Sequence, residues 1–336
     1  MRWRDGDKEW EGPWEEPYIV RNGTNGKCGY VWAVPTQEGF ALQINALISV
    51  LTLGLILNRE AIVMPFIANG PHYRKDVALG KIKSWFPMSE IIDIEKTLRR
   101  TKGYEHVQFV EFDQAKLPQD AKCISCAGKP PPHIHCPRGW HYNWCQVNRV
   151  RKTQKAKCSM QFSERDCSAC VFSVGFGAGI QRTEQRWYHL KQNLQFKFQL
   201  DYLPSTPYCA LQMRRGDKSS YYDKAGLTVD KVLSVASKKC AHLTTKFIAT
   251  DDRSQATKEK ASRAGFQMLD FSNFTTSLQA YLADLLLCVH ADIYVGTAAK
   301  RMTSKQAALV QALRKGRKRS SPESQRRRRD SFLITE

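Results

Sequence analysis

Short apolar runs alternate with longer stretches of helical spacing through the second half of the chain, a pattern that predicts strands alternating with helices. Residues 208–213 read as a buried strand, closed by Pro207 before it and Gly216 after it. Residues 228–240 place Val229, Val232, Leu233, Val235 and Ala236 on one helical face. A strand at 246–250 runs into Asp251-Asp252, a helix follows at 255–263, and 267–271 reads as another strand. Residues 277–290 predict a strongly apolar helix whose one acid is Asp284, and 293–295 a strand ending in Gly296-Thr297.

The first half opens in the same way. A strand at 30–34, a turn through Gly39, a helix at 41–57 that is apolar nearly all round, and a strand at 61–64 follow in quick succession. That order is the opening unit of a nucleotide-binding α/β domain. From 67 to 173 the pattern loosens. A strand at 107–112, a proline-rich loop at 129–135 and a basic stretch at 149–157 predict an insertion stapled by cysteines, and 181–198 predicts a helix joining two lobes. The fold expected is α/β, with two Rossmann-like lobes built on parallel sheets. Its domains are an irregular lead-in (1–28), an N-terminal lobe with the cysteine-rich insertion (29–200), a C-terminal lobe (201–310) and a basic disordered tail (311–336).

Composition agrees with a globular chain long enough for two domains, with 336 residues of which 42% are hydrophobic and 10% aromatic. The formal net charge is +20, and residues 300–336 hold twelve Lys/Arg against three acids. Such a balance favours anionic ligands, whether sugar nucleotide, acidic glycan, nucleic acid or membrane surface, and does not choose among them. Residues 314–329 carry little that builds a core. They predict a solvated tail, open to nucleic acid, a localisation role or an anionic membrane.

Seven of the eleven cysteines fall between Cys123 and Cys170. Two Cys-x-x-Cys pairs near His133 and His135 admit a zinc site. Their irregular spacing favours disulfides in an oxidising lumen instead. Sequons at Asn22 and Asn273 fit N-linked glycosylation in the secretory pathway, Golgi or endoplasmic reticulum. The charged, Trp-rich opening is unlike a signal peptide, and 40–57 is interrupted by Gln43, Asn45, Ser49 and Thr52. A luminal protein would therefore have its membrane anchor outside this sequence.

Three strands of the second half end in polar loops: Arg214 to Lys218, Asp251-Asp252 and Gly296-Thr297. In a parallel sheet these ends share one rim, where ligands bind. Adjacent guanidiniums match phosphate oxygens. An isolated Arg-Arg-Gly-Asp is more often a solvated surface turn. Here it has two companions on the same rim.

Residues 212–218 (Gln-Met-Arg-Arg-Gly-Asp-Lys), 247–252 (Phe-Ile-Ala-Thr-Asp-Asp), Asp284-Leu-Leu-Leu and 291–297 (Ala-Asp-Ile-Tyr-Val-Gly-Thr) resemble, in order and spacing, the GDP-fucose-dependent fucosyltransferases. The likeness is greatest to the core α1,6-fucosyltransferase and bacterial nodulation-factor branch, with protein O-fucosyltransferases as relatives. Residues 38–43 resemble that family's N-terminal Gly/Gln loop. The resemblance implies a GT-B architecture with a cleft between the lobes, and inverting, metal-independent transfer from GDP-fucose to a glycan or glycoprotein acceptor. It implies no cofactor beyond the donor and no specific nucleic acid. Arg214 would stabilise the charge developing on the β-phosphate. Gly39, Gln212, Arg215, Asp217, Lys218, Asp251, Asp252 and Thr297 would line the donor site, with Asp284 accepting from guanine. Asp217 would orient the arginines.

This sequence departs from the family at three places. Gln212 stands where the family has His, Ala298-Ala299-Lys300 follows Thr297 in place of serines, and the usual glutamate base position falls on Tyr222. Neighbouring Asp223 is the candidate base. Alternatives from other classes are a catalytically silent GDP- or glycan-binding protein, and a nucleic-acid binder driven by the basic tail.

Overall fold

The computed structural model describes residues 30–33, 39–57, 60–68, 72–111, 122–125, 141–144, 169–173, 185–200, 203–215, 219–270, 272, 274–299, 302–303, 305–320 and 330–334. The chain divides into two compact units, one of Arg2–Val77 with Lys83–Lys197, the other chiefly Phe198–Glu336 with Ala78–Ile82.

The first unit begins with β1 (Tyr30–Ala33), α1 (Phe40–Leu57) and β2 (Glu60–Val63), as the apolar pattern predicts. Helix α1 is buried on most sides, and three of its four polar side chains bond locally. Ser49 and Thr52 donate to the carbonyls of Asn45 and Ile48 (both 2.8 Å), and Gln43 exchanges two hydrogen bonds with the backbone of Ile67. These bonds let three of the helix's four polar side chains lie inside a core, while Asn45 Oδ1 is buried without a partner among the described residues. A small antiparallel pair, β3 (Phe66–Ile67) and β4 (Trp85–Phe86), brackets α2 (Arg74–Ala78), and α3 (Ile94–Arg99) follows. Strands β5 (Phe109–Glu111), β6 (Lys122–Ser125), β7 (His141–Trp144) and β8 (Ala169–Ser173) complete a six-stranded sheet of order β5-β2-β1-β8-β6-β7, parallel throughout.

The sheet corrects the expectation of an insertion at 67–173, because four of its six strands come from there. Of these, β5 falls in the predicted 107–112 strand, whereas β6, β7 and β8 are only four or five residues long, too short for periodicity to register, and are defined by pairing across long sequence separations. The cysteine-rich segments between these strands lie outside the described residues. Helix α4 (Gln185–Gln192) ends at Gln192, short of the 198 expected, while 181–184 lie outside the described residues. Asn193 turns the chain by donating its amide to the His189 carbonyl (2.9 Å), and Trp187 anchors the helix to α1 through Ser49 Oγ (3.0 Å).

The second unit contains β9 (Tyr208–Met213), α5 (Ser219–Lys224), α6 (Val229–Lys239), β10 (Thr245–Thr250), α7 (Gln255–Arg263), β11 (Gln267–Met268), α8 (Ser277–His290) and β12 (Ile293–Ala299), as predicted except that α5 was not expected and β11 is shorter than 267–271. Thr228, Ser254 and Thr276 cap α6, α7 and α8 by accepting the backbone N–H three residues on. In the sheet, β11, β10, β9 and β12 run parallel in that order. Strand β9 is buried along its whole length, with side chains pointing to alternate faces. Cys209, Leu211 and Met213 join Val232, Leu233, Ala236 and Ala261 of α6 and α7, while α8 packs on β9 and β10 from the other side. Cys209 and Cys240 form a disulfide that ties β9 to the end of α6.

The basic C-terminus is not the disordered tail expected at 311–336. After the short β13 (Met302–Thr303), α9 (Lys305–Ser320) packs on α8 and β12, and β14 (Asp330–Ile334) adds a parallel strand beside β12. Ala307, Leu309, Val310, Ala312 and Leu313 bury an apolar face ahead of the charge run. Arg314 itself is 2% exposed and donates to the carbonyls of Cys288, Val289, Ala291 and Asp292 at the end of α8, and to Ser331 Oγ of β14. A guanidinium satisfies the carbonyls a helix leaves unpaired at its C-terminus, where the dipole also favours positive charge.

Candidate functional site

Backbone register brings the predicted strand ends together. Thr250 lies opposite Met213, and Gly296 opposite Gln212, so the segments after β9 and β10 and the far end of β12 meet at one rim. Arg214 and Arg215 therefore sit directly beside Asp251.

The two arginines are held differently. The Arg215 backbone N–H donates to Asp251 Oδ1 at 2.5 Å. Its buried guanidinium lies 2.8 Å from both oxygens of Asp223 and donates to the Leu227 carbonyl at 3.2 Å. Arg214 is half-buried, with Nε 3.8 Å from Asp251 Oδ2. Arg215 is thus a strut locking the chain after β9 onto α5 and its following loop, and Arg214 is the arginine of the pair with surface left to meet a ligand. Asp223, the candidate base, is the counter-charge of the Arg215 guanidinium. Its carboxylate is committed to the Arg215 guanidinium, because a buried cation is costly unless an anion pairs with it. Asp217 and Lys218 lie outside the described residues; among the described ones, Asp251 and Asp223 hold the arginines.

Gln212 and Thr297 belong to a buried hydrogen-bonded group. Thr297 Oγ1 donates to the Gln212 carbonyl (3.4 Å) and Tyr294 Oη to Gln212 Oε1 (3.4 Å), while Tyr222 shares a hydrogen bond with Thr297. Burial raises the Tyr222 pKa, opposed by the Arg214 charge and the Thr297 bond. Gly296 leaves room for the Tyr294 hydroxyl, since a Cβ there would stand 2.7 Å from it. Gln212 is 2% exposed, which places its side chain beneath the rim.

Asp252 is held by the start of α7. Its carboxylate accepts from Thr257 Oγ1 (2.7 Å) and from the Ser254 backbone N–H (3.1 Å). Partial burial would raise its pKa, but these bonds and the Arg215 charge hold it below the usual value. Asp284, on the second turn of α8, is 7% exposed and accepts from Arg253 through Oδ2 at 3.1 Å. Among the described residues its Oδ1 has no hydrogen-bond partner. Burial pushes its pKa up to about 7, with Arg253 pulling it down and Asp251 adding to the rise. Arg253 was absent from the expected site. Its position next to Asp251-Asp252, at the end of a strand, is the signal that marks it.

Gly39 belongs to the first unit, where its carbonyl accepts from Leu42 at the start of α1 (2.9 Å) and a Cβ would meet the His72 ring at 3.3 Å. Among the described residues no cluster of three or more His, Cys, Asp or Glu is suited to a metal, and no helix is long and apolar enough to cross a membrane.

No family model matches the chain, and no curated protein matches it in sequence. Solved structures do. POFUT1 in complex with GDP-fucose superposes with a TM-score of 0.59 at 13% identity, covering 92% of this chain and 98% of that one. POFUT1 with GDP gives 0.58 over 92% and 99% of the two chains, again at 13% identity. The α1,6-fucosyltransferase NodZ, a Bradyrhizobium protein, soaked with GDP-fucose gives 0.51 at 12% identity over 86% and 93%. This chain has the fold of the GDP-fucose fucosyltransferases. That fold is the GT-B kind, and the likeness runs nearly end to end in both partners. The motifs Arg214-Arg215, Asp251-Asp252 and Asp284 therefore lie on a framework of the type that their spacing resembles.

Proposed function

We propose that the protein transfers fucose from GDP-fucose, with inversion and without a divalent ion, to a hydroxyl of a glycan acceptor. The observation carrying this reading is the arginine pair at the end of β9, fixed through Asp251 and Asp223 so that Arg214 is presented at the rim of a parallel sheet. Loss of GDP from fucose develops negative charge on the β-phosphate, and a pre-positioned guanidinium stabilises it with little reorganisation. Asp284 Oδ1, a buried acceptor without a partner among the described residues, suits the N–H donors of guanine. Similarity to the α1,6-fucosyltransferase NodZ supports an α1,6-type glycan acceptor, the N-glycan core being the first to try; the motif resemblance to protein O-fucosyltransferases keeps a Ser or Thr hydroxyl of a folded domain as the alternative. The Cys209–Cys240 disulfide supports a site of action in the secretory lumen.

Thermal unfolding with GDP, GDP-fucose, UDP and ADP tests the donor, because a ligand bound only by the native state raises the midpoint. Guanine nucleotides should stabilise and the others should not; equal shifts for all four would remove the guanine assignment. Arg214→Ala should lower the transfer rate about 10²–10³-fold, the cost of losing one charge-stabilising donor. A second reading, donor binding without transfer, is favoured by Gln212 turned toward Tyr294 beneath the rim. Guanine-selective stabilisation with neither transfer nor donor hydrolysis would establish it.

A further inference from the structure

We infer that Arg253 is a positioning residue for base selection: it holds Asp284 by one carboxylate oxygen and leaves the other as the acceptor for the nucleobase. This rests on the donor reading above. Three observations converge on it. Asp284 is buried, its Oδ2 takes a hydrogen bond from Arg253 Nη2 at 3.1 Å, and its Oδ1 has no partner among the described residues. Arg253 is braced in turn by the Leu269 carbonyl, 3.5 Å from Nη1, so the pair is tied to the chain after β11 as well as to β10. A buried carboxylate oxygen without a donor is costly, and a ligand supplying N–H groups removes that cost. A carboxylate free to rotate would give up the selectivity that a fixed one provides.

The charge state of Asp284 follows from its surroundings. Facing it are Arg253 and Asp251 from the segment after β10, with Cys288 one turn along its own helix. Burial and Asp251 favour the protonated form, and Arg253 is the group opposing them. The neutral acid offers a donor where guanine also offers donors. Arg253 therefore keeps the acceptor form in reach near neutrality, and the selectivity of the site depends on it.

The test compares GDP and ADP binding by calorimetry between pH 5.5 and 8.5 for the full chain, Arg253→Gln and Arg253→Lys. The wild-type protein should prefer GDP, with affinity falling as pH drops through about 7, the region in which Asp284 titrates. Arg253→Gln should weaken GDP about tenfold, leave ADP unchanged, and move the pH dependence upward. Arg253→Lys, which retains the charge and loses the fork, should recover part of the affinity and most of the pH profile. If Arg253→Gln does not fold, Arg253→Lys decides alone: weaker GDP with unchanged ADP supports the role, and unchanged GDP overturns it. Unchanged GDP affinity and pH profile in Arg253→Gln overturn it, as does an equal loss for both nucleotides. A wild-type protein with no preference for GDP sinks the donor reading itself, and this role with it.

Discussion

Asp223 and Asp284 show how much the role of an acid depends on its neighbour. Asp223 is 45% exposed at its side chain, yet it is the counter-charge of a guanidinium that is only 9% exposed. Removing it strands Arg215, so Asp223→Asn should lower stability by about 1–2 kcal/mol, less than a fully buried pair because solvent reaches one partner. Urea denaturation measures it, and Arg214-dependent transfer should fall as well, because the loop that carries Arg214 is held by that pair. Asp284 makes a prediction in pH. Its folded pKa is near 7 and an unfolded aspartate titrates near ~3.9, so between these values the native state holds a proton that the unfolded chain releases. Its contribution to stability is full below pH ~4 and lost as pH rises through 7. Asp284→Asn should flatten that part of the stability–pH curve, and an unchanged slope would show that other groups set it.

Among the elements, β9 is the one on which the second unit is assembled. It pairs with β10 and β12, packs α6 and α8 on opposite faces, and ends in the two arginines. The disulfide from Cys209 to Cys240 closes a loop of 31 residues containing α5, α6 and the arginine turn. Loop-closure entropy for that length is worth about 3–4 kcal/mol. Cys209→Ala/Cys240→Ala should therefore unfold at markedly lower temperature in a scan, while retaining guanine selectivity if the fold persists. Helix α8 has its own lock in Arg314, which gathers the helix's last carbonyls. Arg314→Met should cost about 3–5 kcal/mol, because several buried carbonyls lose their donor at once. Lys315→Met, exposed on the next position, should cost little.

For the whole molecule, the consequence lies in residues 305–336. A solvated tail is removable without effect. Here α9 and β14 are layers of the second unit, so deletion of 305–336 should abolish cooperative unfolding of that unit and nucleotide binding together. A truncated protein that melts and binds GDP like the full chain would refute the packing described.

The amino-acid sequence by itself determined the alternation of strands and helices in the second unit and the meeting of three loops at one rim. Local periodicity and turn residues suffice for those, and parallel order then places the ends of β9, β10 and β12 together. Tertiary structure alone decided that β6, β7 and β8 belong to the first sheet, because strands of four or five residues exist only through their partners. It also decided which charge meets which. Arg215 took Asp223, Asp284 took Arg253, and Arg314 took the end of α8, since the energy of a buried ion lies in the atoms around it and those come from distant parts of the chain.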